Sequence, residues 1–141
     1  MSDYPEAEEI LVTALAAHFT SARVCTETPD NLADVLPCIR VTRFAGGSDP
    51  VYTFDNSSID FDCYAASRGA ARKLAYDVRT YVRQTLVGST VEITDANDAV
   101  TARAFVARAQ DILGPHWTPY DNTSLRRFTY SAALRLHALG V

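Results

Sequence analysis

Hydrophobic and polar positions alternate over residues 58–64, where Ile59, Phe61 and Cys63 interleave with Asp60, Asp62 and Tyr64. A period of two buries one face of a strand and wets the other. Ser67 follows as an N-cap, because its hydroxyl can accept from a free N–H of a first helical turn. Beyond it Ala71, Leu74, Ala75, Val78, Tyr81, Val82 and Leu86 recur at three- and four-residue steps, the apolar stripe of an amphipathic helix. Arg68, Arg72, Arg79 and Arg83 recur at the same steps on another face. This strand, turn and helix form a unit able to nucleate a domain of sheet and helix.

The rest of the chain reads around that unit. Asp3 and Pro5 start a first helix with Glu6, Glu8 and Glu9 near its positive end, and Ala7, Ile10, Leu11, Ala14, Leu15 and Phe19 make its apolar face. Residues 23–27 predict a short strand, and 32–36 a helical turn after the break at 28–31. Residues 37–44 predict a strand with Ile39 and Val41 inward. Gly46 to Pro50 signal a turn. Residues 51–54 and 58–64 predict one strand interrupted at Asp55, Asn56 and Ser57. After Gly88, residues 90–94 predict a brief strand and 95–98 a polar loop. Residues 102–113 predict a strand, 114–124 a loop, and the alternation of Phe128, Tyr130, Ala132, Leu134 and Leu136 a last strand, paired antiparallel with the one before it. The expected fold is α+β: two helices packed on one mainly antiparallel sheet of mixed strand order, in a single domain spanning 1–141.

Composition narrows the function. With 141 residues, 48% of them hydrophobic and 21% charged, the chain can fill a core. Its formal net charge of −4 argues against a general nucleic-acid binder. No stretch approaches the roughly 20 apolar residues of a membrane span, and the acidic N-terminus lacks the basic start and apolar middle of a signal peptide. Expression in a cytosol is therefore expected. Cys25, Cys38 and Cys63 are widely spaced and expected as buried thiols rather than as a disulfide.

Catalytic and ligand-binding patterns are weak. His18, His116 and His137 stand alone and no Cys-x-x-Cys occurs, so no metal site is expected. The 95–98 segment lacks the Gly and Glu of a calcium loop, and Gly46-Gly47 is not followed by the Lys-Ser or Lys-Thr of a phosphate loop. No cofactor is expected. A nucleophile pair of Cys25 or Cys63 with His116 has no local support, and Asp60 and Asp62 are expected as exposed residues facing basic groups on a neighbour rather than as catalytic carboxylates. Two candidate surfaces remain. One is the Arg68, Arg72, Arg79 and Arg83 stripe, whose bland reading is a solvated helix face. The other joins Trp117 and Tyr120 to Arg126 and Arg127, residue types enriched at binding hot spots. Its bland reading is that Trp117 covers the edge of the core.

Several segments carry a family resemblance. They are Thr26-Glu27-Thr28-Pro29 with Leu32-Ala33-Asp34-Val35-Leu36-Pro37; Ile39-Arg40-Val41-Thr42-Arg43 with Gly46-Gly47; Ile59-Asp60-Phe61-Asp62-Cys63-Tyr64-Ala65 leading into the Arg helix; and Gly114-Pro115-His116-Trp117 with Arg126-Arg127 before the closing strand. In these the chain resembles the tail terminator (tail completion) proteins of siphophages, particularly of phages infecting actinobacteria. The resemblance implies a non-enzymatic virion protein, assembled in the host cytoplasm and placed at the neck of the tail. It implies a ring, typically sixfold, that caps the tail tube, ends its polymerisation and offers a surface to a head-side connector or stopper. Its expected partners are its own copies, the tail tube protein, the head-side protein and DNA passing through the lumen, with no membrane. Another neck or minor tail part is the nearest alternative, and a nucleic-acid-binding module using the Arg helix is the alternative of a different class.

Overall fold

The computed structural model describes residues 6–48, 54–120 and 125–139. Its elements run α1 (Ala7–His18), β1 (Arg23–Cys25), a 3-10 turn (Leu32–Asp34), β2 (Cys38–Ser48), β3 (Phe54–Ala65), α2 (Arg68–Tyr81) continuing as a π turn (Val82–Leu86), β4 (Thr90–Thr94), β5 (Val100–Trp117) and β6 (Arg126–Ala138). The strands form one sheet in the order β1-β2-β3-β6-β5-β4.

The expectation of two helices on one mainly antiparallel, mixed-order sheet requires correction. The fold is α+β only in the broad sense: 49% of it is strand and 28% helix, and the sheet is a mixed, curled one of six strands. Its β1 runs parallel to β2, with Val24 opposite Ile39. The physical reason is the crossover between them. Residues 26–37 cross over rather than turn back as a hairpin, so β2 enters the sheet in the same direction as β1. Curling comes from bulges between Arg43 and Ala45, Val106 and Arg108, and Asp111 and Leu113, each of which bends its strand. The sheet wraps far enough that α1 packs against β1 and β2 at one margin and against β4 at the other. Meanwhile α2 packs on β6, β3 and β5 in the middle.

The helix signals act locally. Ser67 caps α2, its hydroxyl accepting from the Ala70 N–H at 3.2 Å. At α1 the cap is Glu6, whose carboxylate accepts from Glu8 and Glu9 N–H groups; the proposed start at Asp3 and Pro5 lies outside the described residues. Both helices cover the main core, built from Ile10, Leu11 and Leu15 of α1, Val78, Val82 and Leu86 of α2 and its turn, and Ile39, Ile59, Phe61, Tyr130 and Leu134 of the sheet. The Phe61 and Tyr130 rings stack with centroids 5.7 Å apart. A second, smaller cluster of Leu32, Cys38, Tyr64 and Leu125 lies on the other face of the sheet, under the crossover.

Strands β2, β3 and β5 run past their expected bounds: Gly46, Gly47 and Ser48, read as the start of a turn, belong to β2, and residues 49 and 50 lie outside the described ones. The predicted interruption at Asp55, Asn56 and Ser57 is absent, and β3 is continuous from Phe54; residues 51–53 lie outside the described ones. Asp55 is buried because Arg43 grips it with two hydrogen bonds, at 2.7 and 3.1 Å, while Ser57 donates to it at 3.1 Å. Polar groups satisfied in this way lose little on burial. Opposite them Gly46 has φ +121°, and a Cβ there would stand 2.0 Å from the Asn56 carbonyl oxygen, so only glycine lets β2 approach so closely. The strand predicted over 102–113 runs on through Gly114 to Trp117, as the antiparallel partner of β6 that the pattern suggested.

Phe61 is fully buried and Leu74 only partly so. Phe61→Ala is therefore expected to cost about 3–5 kcal/mol of stability and Leu74→Ala less than about 2 kcal/mol. Denaturant unfolding of the two variants checks the order, and equal losses would place Leu74 deeper in the core than it stands.

Candidate functional site

The four arginines of α2 divide according to what faces them. Arg79 donates from Nε to Asp111 Oδ2 at 2.8 Å, and Arg83 Nη1 reaches the same oxygen at 3.5 Å. The other Asp111 oxygen accepts from the Tyr130 hydroxyl at 2.7 Å. Asp111 thereby ties the C-terminal half of α2 to β5 and β6. Arg68 instead lies over the Trp117 ring, 4.7 Å from its centroid, and Arg72 over Tyr76 at 5.8 Å. Arg68, Arg72 and Arg83 are exposed, while Arg79 is half-buried.

Trp117 belongs to β5, not to a loop. It is half-buried, packs edge-on against Phe128 and touches the main core. The ring covers the core edge, as its bland reading has it, and Arg68 of the same chain lies over it. Tyr120 packs on the smaller core, edge-on to Tyr64, and Arg127 lies over its ring at 5.2 Å. Arg127 is further held by donating to the Thr118 and Pro119 carbonyl oxygens. Arg126 donates to the Leu125 carbonyl oxygen. Arg68 and Trp117 therefore belong with the helix face, whereas Tyr120 and Arg127 belong with the smaller core. The loop expectation over 121–124 lies outside the described residues.

The sheet face turned away from the helices holds a polar ladder. Asp62 is buried, contrary to the expectation of an exposed group. It accepts from Arg40 Nη2 at 2.7 Å and from the Thr129 hydroxyl at 2.7 Å, and Thr129 in turn meets Thr118 at 2.8 Å. Asp60 accepts from Ser131. These carboxylates are engaged within their own chain because β3 lies in the middle of the sheet, where cross-strand neighbours supply the donors.

Titration follows the same contacts. Partial burial pushes the Asp111 carboxyl up, but the bonds from Tyr130 and Arg79 and the charges of Arg79 and Arg83 outweigh it and leave the group below its usual value. Burial and the bond to Asp111 raise Tyr130. Burial, with the neighbouring Cys25 thiol 3.6 Å away, pushes Cys38 up to about 12, and burial raises Cys63. Thiols raised in this way are poor nucleophiles. His116 donates from Nδ1 to the Gly114 carbonyl oxygen at 2.9 Å, within its own strand. Among the described residues no group of three or more His, Cys, Asp or Glu is placed to hold a metal ion, and no helix is long and apolar enough to cross a membrane.

Asp111 is the residue that sequence reasoning missed. The bulges on either side of it shift the phase of β5, and a strict period of two gives no sign that its side chain turns towards α2.

The family model of the phage tail termination protein matches residues 3–134, and the chain belongs to that family. It is thus a structural protein of the phage tail. No curated protein matches the chain.

Because Asp111 is held below its usual value in the folded state, its contacts stabilise the protein fully above the unfolded carboxyl value of about 4, and that stability is lost as pH falls through the lower folded value. Asp111→Asn is expected to lower stability at neutral pH. The gap between wild type and variant should narrow as the pH drops below about 4. Melting curves across that range read the gap directly, and a constant gap would remove the charge of Asp111 from the account.

Proposed function

We propose that this protein caps the tail tube as a ring, typically sixfold, ending tube polymerisation and offering its far side to the head-side connector or stopper. The family match over nearly the whole chain is the observation that carries this reading. Physical reasoning supports it. A tube that grows by adding identical rings presents each end as a template for the next ring. Stopping growth needs a subunit that fits the tube on one side and differs on the other. A rigid domain does this by shape and charge alone, and head-to-tail contacts close into a ring when each carries a fixed rotation. Several sites presented together strengthen a contact that is weak in isolation. Assembly takes place in the host cytoplasm, and the ring opening passes DNA.

The contact surface in this proposal is the exposed part of the Arg stripe, Arg68, Arg72 and Arg83, together with Trp117 beside it and with Tyr120, Arg126 and Arg127 at the far end of β5 and β6. Arg79 acts within the subunit, through Asp111. Phage lacking the protein are expected to make overlong or open-ended tails that fail to join filled heads. Purified protein added to tails of normal length should restore joining. Normal tails that join heads without the protein would sink the reading.

Point variants separate surface from fold. Arg68→Glu with Arg72→Glu is expected to leave the melting temperature nearly unchanged, since exposed charges contribute about 1 kcal/mol or less each, yet to reduce decoration of tube ends seen by electron microscopy. Full decoration by this variant would make the stripe a solvated face.

A further inference from the structure

The sheet face away from the helices carries an arrangement that the capping reading does not use. Arg108 of β5 and Arg135 of β6 are directly opposite each other in the ladder, and both are exposed. They line one shallow depression of about 130 Å³ with Asn56, Gln110 and the backbone stretch around Ala133 and Leu134. Like charges directly opposite on a sheet repel. Neither arginine has a carboxylate partner among the described residues. Arg108 donates to Gln110 Oε1 at 3.2 Å, and Arg135 lies 3.8 Å over the Phe54 ring. The nearest acid of that face on β3, Asp60, is engaged by Ser131. Guanidinium groups form their strongest hydrogen bonds with oxyanions, carboxylates among them.

The same chain carries the complementary charge at the other end of the same face. The crossover after β1 covers the smaller core and exposes Glu27, Asp30 and Asp34, none with a basic partner among the described residues. Asn56 and Tyr64 mark the two ends on β3, roughly 26 Å apart at about 3.3 Å per residue. A group that far away cannot reach the depression of its own subunit.

We infer that the depression between Arg108 and Arg135 is a carboxylate-binding site, filled by the acidic crossover around Glu27, Asp30 and Asp34 of a second copy of this chain. The contact is heterologous: the depression of one subunit meets the crossover carboxylates of the next, as a ring requires. It rests on the ring reading and adds the surfaces that join neighbours.

The test is self-association of the purified full chain, followed by sedimentation across a wide concentration range at low and high salt. Arg108→Glu with Arg135→Glu is expected to weaken association about tenfold or more, because it sets like charges against each other. Glu27→Arg with Asp30→Arg and Asp34→Arg should weaken it equally. A chain carrying both sets restores the attraction and should associate again. Wild-type association should weaken with salt. A wild type that stays monomeric throughout, association unmoved by either reversal, or no rescue by the combined chain overturns the proposal. So does a duplex DNA probe whose binding is lost in the Arg108→Glu, Arg135→Glu variant while association is unchanged, since the depression would then take phosphate. Wild-type rings that form and cap tubes regardless of these reversals would overturn this contact alone. Failure of the wild type to cap tubes would overturn the ring reading whatever the association data show.

Discussion

One short helix closing a curled sheet is the constraint on which the molecule depends. A six-stranded sheet laid flat would keep β2 and β4 far apart, yet α1 packs against both. The sheet must therefore bend around its contents, and the contents must fill the bend. Ile10, Leu11 and Leu15 supply one half of that filling and the α2 stripe the other. The two helices lock to each other where Tyr81 donates its hydroxyl to the Ala14 carbonyl oxygen at 3.3 Å and stacks on His18. Bulges that would weaken a flat sheet here let it curl without losing its ladder.

The polar groups follow from the curl. Where β5 bends, Asp111 is brought under α2 and gathers Arg79, Arg83 and Tyr130. Where β2 bends, Arg43 reaches Asp55, and its backbone N–H donates to Glu8 of α1 at 2.7 Å. Each hub sits where a helix meets a bulged strand, and both hold the helices at a fixed angle to the sheet. Rigidity of that kind serves a protein whose work is to be a shape: an assembly part must present its surfaces without rearranging them.

Elements with a strong local signal were legible in the sequence. Ser67 as a cap, the α2 stripe, β4 between Thr90 and Thr94, and the alternation through β6 are all fixed by neighbours a few residues away. The family was legible for a related reason, since its segments are turn and strand patterns rather than catalytic signatures. What failed to show depends on distant partners. Asp55 and Ser57 read as a break because nothing nearby reveals that Arg43 will bury them. Trp117 read as a loop residue because Gly114 and Pro115 precede it, although β6 holds it in register with Phe128. The parallel entry of β1 is set by the crossover, and the sheet's curl by bulges, neither of which leaves a period in the sequence. Of the candidate surface, the arginine spacing was visible but not its division between Asp111 and Trp117.

The end of α2 has a further consequence. There the Val87 N–H bonds to the Val82 carbonyl oxygen five residues back, at 3.2 Å, in place of the usual four. The wider turn lets Val78, Val82 and Leu86, each four residues from the next, all stay inside. At ordinary α-helical pitch each such step drifts about 40° around the axis, and the wider turn offsets that drift at Leu86. Losing one residue there shortens the segment by about 1.5 Å and also turns everything beyond it by about 100°. An insertion or deletion in this segment therefore costs more than a substitution that keeps its phase.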